Sequence, residues 1–130
     1  EEYAKMQWLI LQQKNPDDFV ISTGKQYRVK EFIEKTAKQI GIKLEWSGKG
    51  INEIAKVKKI LSKKIRNVKL GQIIVKVNKR YFRPNEVDIL KGDSSKARKL
   101  LNWKPTIHIK EIAKEMLITD MKKVGLDEKI

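Results

Sequence analysis

Val29, Phe32, Ile33, Thr36, Ala37 and Ile40 stand at i, i+3, i+4, i+7, i+8 and i+11. That spacing predicts one amphipathic helix with a single face to bury. Gly41 follows it, where a glycine suits the left-handed residue that closes a helix. Short apolar segments flank it. Phe19-Val20-Ile21 is a continuous run bounded by Asn15-Pro16-Asp17 and Thr23-Gly24. It suits a strand buried on both faces, as in a parallel sheet. Lys43-Leu44-Glu45-Trp46 alternates and reads as a second strand, and β-branched Ile73 to Val77 reads as a third. Helix and strand therefore intermix along the chain, which makes it α/β material.

Three more helices complete the pattern. Tyr3 to Gln13 carries Met6, Trp8, Leu9, Ile10 and Leu11, and Asn15-Pro16 ends it. Asp93 can N-cap a short helix holding Ala97, Leu100 and Leu101, stopped by Asn102-Trp103-Lys104-Pro105. Ile109, Ile112, Ala113, Met116, Leu117 and Met121 mark the last helix. The chain opens on Glu1, not Met, inside an apolar helical pattern. Its natural start is therefore expected to lie upstream. No leader of signal-peptide type is visible, and no run reaches the ~18 apolar residues that span a bilayer.

Lys and Arg outnumber Asp and Glu by 30 to 16, a formal net charge of +14. Such a balance raises nucleic acid as a partner. Most of the cations are Lys, however, and they are spread along the whole length, whereas base readout and phosphate clamping favour clustered Arg among aromatics. The expectation is non-specific, salt-sensitive association only. Residues Lys56 to Lys69 hold seven Lys or Arg and no acid. Val57, Ile60, Leu61 and Ile65 could share a helical face there. The segment is expected to be a solvated surface insertion.

Familiar catalytic patterns are missing. There are no cysteines, so no disulfide framework and no thiolate metal site. None of the seven glycines spells Gly-x-x-Gly-x-x-Gly or a phosphate-binding loop. His108 is the only histidine and falls at a helix entry. The residues four after Tyr3, Tyr27 and Tyr81 are Gln7, Glu31 and Asn85, so no Tyr-x-x-x-Lys proton-transfer pair exists. What remains is Arg80-Tyr81-Phe82-Arg83-Pro84-Asn85-Glu86-Val87-Asp88. An arginine between an aromatic and a proline has a constrained backbone, and its planar guanidinium can take two phosphate oxygens at once. Glu86, three residues on, could orient Arg83 or accept from a hydroxyl. By spacing alone, an ordinary surface arginine ahead of a helix-entry Pro-x-Glu explains the segment as well.

Set beside its flanks, the segment says more. Tyr81 to Leu90, then Gly92-Asp93-Ser94-Ser95-Lys96-Ala97 and Leu101-Asn102-Trp103-Lys104-Pro105, closely resembles the GDP-mannose 4,6-dehydratase family of extended short-chain dehydrogenases/reductases. The order Gly-Asp, Lys-Ala, Leu-x-Trp-x-Pro is shared across extended members. Tyr-Phe-Arg-Pro-x-Glu-Val-Asp is more specific. Tyr3 to Gln12, Pro16 to Ile21, Thr23-Gly24, Val29 to Phe32, Leu44 to Trp46 and Glu111 to Asp120 extend the likeness. Glu2 and Arg28 depart from the family pattern, and Arg28 removes a good N-cap from the helix it precedes.

The resemblance implies a C-terminal substrate-binding part of a Rossmann-fold enzyme, with the NADP-binding domain N-terminal to these residues. Residues 1–41 would adjoin the Rossmann sheet, and 42–124 would form a lobe clasping the nucleotide sugar. It implies GDP-mannose as substrate, GDP-4-keto-6-deoxy-mannose as product, a cytoplasmic setting with no membrane attachment, and a homo-oligomer in the full-length enzyme. Arg83 would contact the diphosphate, and Glu86 the ribose or Arg83 itself. The fragment would be inactive alone. Another nucleotide-sugar epimerase or reductase of the same superfamily, or a basic nucleic-acid-binding module, are the alternatives.

Overall fold

The 3.6-residue stripe forms the helix it predicts, α2, at Val29–Gln39. The computed structural model describes residues 1–63, 65–84 and 89–126. In chain order, α1 spans Glu2–Leu11, and α2 leads into strands β1 (Ile42–Ser47), β2 (Ile54–Ile60) and β3 (Ile73–Lys76). Helices α3 (Ser95–Leu101) and α4 (Ile109–Lys123) follow. The residues sort into two compact units. One comprises Glu1–Tyr27 with Val87–Ile112, the other Arg28–Glu86 with Ala113–Ile130.

In the first unit, α1 turns Met6, Leu9 and Ile10 toward Ala97, Leu101 and Trp103, where Met6 and Ala97 are fully buried. The spacing i, i+3, i+4 puts those three side chains on one face. Asn102 takes the left-handed conformation, φ 49°, and ends α3. The N-cap of α3 is Ser94, not the expected Asp93, and its side chain makes no cap; Asp93, one residue earlier, accepts from the backbone N–H and the hydroxyl of Ser95.

The run Phe19 to Ile21 corrects an expectation. It is extended but pairs with no strand among the described residues. Phe19 and Ile21 pack against the Met6 cluster while Val20 stays 52% exposed. A strand needs a neighbour to share its N–H and C=O groups. Among the described residues, the three strands pair only with each other.

In the second unit, the strands form an antiparallel sheet in the order β1-β2-β3. Helix α2 packs on β1. Leu44 faces Val57, and Trp46 faces Ala55, which in turn faces Val75. Ala37, Ile42 and Val57 are the buried centre, with Ile40, Leu44, Ile60, Ile65 and Val68 around them. Gly41 has φ +77°, and a Cβ there would lie 2.7 Å from Ser62 Cβ. Arg28 makes no side-chain cap, since a guanidinium has no acceptor. Glu31 alone compensates by accepting the Arg28 N–H at 3.3 Å.

The basic segment from Lys56 to Lys69 is not a surface insertion. Its first five residues belong to β2, the central strand. Val57 is buried, and Ile65 and Val68 cover the core. Period-2 alternation explains this: Ala55 and Val57 point inward while Lys56 and Lys58 point to water. A dense lysine face marked the solvent side of a strand.

Candidate functional site

The segment singled out by sequence leaves the sheet directly after β3. The Val77 N–H donates to Glu53 O at 3.2 Å, which continues the pairing past the last strand residue. Asn78 Oδ1 accepts from the Arg80 N–H at 2.9 Å and caps a 3-10 turn over Lys79–Tyr81. The Arg80 guanidinium lies 5.6 Å from the centroid of the Tyr81 ring. Phe82 is next to Gly50, where an added Cβ would stand 3.7 Å from Phe82 Cζ. Gly50 belongs to the turn between β1 and β2, so both ends of the Arg80-to-Phe82 stretch are fixed to the sheet.

Arg83 follows, exposed, and makes no hydrogen bond or ion pair to any described residue. Pro84 next to it narrows the backbone. Its guanidinium thus has all five N–H donors available. Glu86 lies outside the described residues. His108 sits exposed at the entry of α4, where its backbone N–H donates to the Glu111 carboxylate at 3.2 Å. Among the described residues no group of three or more His, Cys, Asp or Glu could hold a metal ion. No helix among them is long and apolar enough to cross a membrane.

The Gly92-to-Pro105 motif works structurally in the first unit. Ser22 Oγ donates to Gly92 O at 2.7 Å, and Ser94 Oγ donates to Ser22 O at 2.8 Å. Arg98 Nε donates to Ser94 Oγ at 3.2 Å, and Arg98 Nη2 to Thr23 O at 3.0 Å. Ser94 is 3% exposed. Gly92 must lack a side chain, because a Cβ would stand 2.8 Å from Ser22 Cβ and Oγ. Lys96 pairs with Asp17 and lies 5.1 Å from the Phe19 ring centroid. The Asp17 carboxyl is held below its usual range first by the Lys96 hydrogen bond, then by the Asp18 N–H.

A cavity of about 540 Å³ opens beside this clasp, lined by residues from Thr23 to Lys25 and from Lys91 to Arg98. Sequence reasoning passed over its cations, Lys25, Lys91 and Arg98. Lys25 and Lys91 each adjoin a glycine, Gly24 and Gly92, which hinted at close backbone approach. Nothing in the one-dimensional pattern joined the two segments.

Comparison with known proteins bears on residues 1–116, which match the family model described as GDP-mannose 4,6 dehydratase. A GDP-mannose 4,6-dehydratase of Yersinia enterocolitica is 50% identical over 121 residues, 93% of this chain and 32% of the relative. One of Vibrio cholerae is 49% identical over 93% of this chain and 32% of its own length. The human protein of that name is 40% identical over 93% of this chain and 30% of its own length. The chain thus spans about a third of the length of the curated relatives it matches.

Proposed function

The chain belongs to the GDP-mannose 4,6 dehydratase family, and from that membership we propose that it forms one wall of a GDP-mannose pocket in a longer enzyme or assembly. The observation that carries this reading is Arg83. It is unpartnered among the described residues and exposed, and it lies on a backbone fixed by the Asn78 cap and the Phe82 contact at Gly50. Arg83 grips the diphosphate with a two-pronged guanidinium. Glu86 accepts from a ribose hydroxyl or steadies Arg83. Residues 1–41 adjoin the Rossmann sheet of an extended short-chain dehydrogenase/reductase, and 42–124 clasp the sugar nucleotide. Phe19 to Ile21 would find its strand partners in that sheet.

NADP does not fit the residues of this chain, which offer neither a Gly-x-x-Gly-x-x-Gly turn nor a Tyr-x-x-x-Lys pair. On this reading NADP and the acid-base groups belong to other residues. The whole enzyme converts GDP-mannose to GDP-4-keto-6-deoxy-mannose, works in the cytoplasm and is a homo-oligomer. The 130-residue chain contributes binding and no chemistry. With NADP and GDP-mannose supplied, the purified chain gives no keto-sugar product above a buffer control. Product formation that scales with chain concentration overturns the reading.

A further inference from the structure

The cavity at the clasp is not used by the sugar-nucleotide reading. Three cations line it, Lys25, Lys91 and Arg98, against one carboxylate, Asp93. That carboxylate is already engaged with Ser95 through both N–H and hydroxyl. Arg98 is held from two sides, by Ser94 Oγ and Thr23 O, which leaves three of its five N–H donors unspent. Among the described residues no carboxylate forms an ion pair with Lys25, Lys91 or Arg98. Asp93 is drawn below its usual range first by the Ser95 hydrogen bonds, and further by Arg98 and Lys91, so both cations reach the same place.

Cations gathered in a concavity concentrate a field that attracts counter-ions. Gly24 and Gly92 leave part of its wall without side chains, and Ser94 beneath is buried and locked. The hydrogen bonds from Ser22 to Gly92, from Ser94 to Ser22 and from Arg98 to Thr23 each link residues 70 or more positions apart, so the cavity is held in place without a ligand. The geometry points to a binding site for a small phosphate-bearing anion, held by Lys25, Lys91 and the free edge of Arg98. A guanidinium fork fits two phosphate oxygens, and two ammonium groups match a dianion's remaining charge. Helix α3, at seven residues, is too short for its dipole to carry the site, and the cations carry it instead. The volume accepts inorganic phosphate, pyrophosphate or the phosphates of a nucleotide. The proposal uses none of the residues assigned to the sugar nucleotide and does not depend on the role proposed for Arg83.

Thermal melting of the full chain with inorganic phosphate, pyrophosphate or GDP-mannose, at constant ionic strength set with chloride, tests the proposal. Phosphate or pyrophosphate raises Tm in a saturable way. A Lys25→Gln, Lys91→Gln double variant binds at least tenfold more weakly while its Tm without ligand stays at the wild-type value. A Lys14→Gln, Lys49→Gln variant of equal net charge binds as wild type does, and so does Arg83→Ala. Overturning results are no saturable shift, binding unaffected by loss of Lys25 and Lys91, or equal loss in the Lys14 and Lys49 control. GDP-mannose identifies the source of the phosphate. If its binding falls in the Lys25, Lys91 variant and not in Arg83→Ala, this cavity holds the sugar nucleotide and the Arg83 reading fails. If its binding falls only in Arg83→Ala while phosphate binding falls only in the lysine variant, the cavity takes a separate anion and both readings stand.

Discussion

Glu2 reaches from the first turn of α1 to the loop before α4. Its carboxylate accepts from the N–H of Thr106, from the Thr106 hydroxyl at 3.0 Å and from the Ile107 N–H at 3.3 Å. The Thr106 N–H does most to hold this carboxyl below the usual range, and partial burial opposes it. A depressed folded value means the tie is fully present above the unfolded carboxylate range, roughly 4.3. It is lost as pH falls through the folded value. Urea denaturation of wild type and Glu2→Leu should therefore differ most near pH 7 and converge in acid below that range. A gap that persists unchanged to pH 2 would show that the carboxylate is not the cause. At this scale the sequence was readable where a residue acts alone: Gly41 and Asn102 closing helices, whereas α1 stops at Leu11, ahead of the Asn15-Pro16 stop expected for it. It was unreadable where residues act in pairs. Nothing local marks Glu2 as a partner of Thr106, 104 positions away, or Gly92 as the residue whose side chain Ser22 would exclude.

Among elements, β2 separates two physical readings of one segment. Val57, Ile60, Leu61 and Ile65 suggested a helical face because their spacings of three, one and four match that period. The shorter period through Ala55 and Val57 decides, since β1 and β3 both pair with it and so satisfy its backbone groups. Val57 is the buried centre of the sheet, and Lys56 beside it faces water. Val57→Ala should cost about 2 kcal/mol from two lost methyl groups and the cavity left behind. Lys56→Ser should stay within about 0.5 kcal/mol. Equal, small effects at both positions in chemical denaturation would return the segment to a surface loop. The α2 stripe, β1, β3 and α4 were legible because each carries its period alone. Phe19 to Ile21 forms no strand among the described residues, because burial on two faces requires neighbouring strands that none of them supplies.

The whole molecule leaves an apolar helix face in water. Tyr3 and Trp8 are each 58% exposed and Leu11 is 79% exposed. Large apolar side chains standing in water on one helix are candidates for a contact surface or an association hazard. Trp8→Gln with Leu11→Gln should leave the unfolding free energy within about 0.5 kcal/mol, while light scattering shows less self-association than wild type. An unchanged association state would place the sticky surface elsewhere. The family was legible because its motifs survive at fixed order from Tyr3 to Asp120, and residues 1–116 match its model. The sequence singled out Arg83 and Glu86, of which Glu86 lies outside the described residues. The Arg83 loop is set by β3, Asn78 and Phe82, and none of those contacts follows from the motif alone. The central claim is that this chain binds GDP-mannose through Arg83. Titration of GDP-mannose into the isotope-labelled chain, followed by amide NMR, tests it most directly. Saturable shifts should centre on Asn78 to Arg83 in wild type and weaken about tenfold or more in Arg83→Ala, as loss of a charge-assisted pair of ~1.5–3 kcal/mol requires. No saturable shifts, or identical binding by the Arg83→Ala chain, would contradict it.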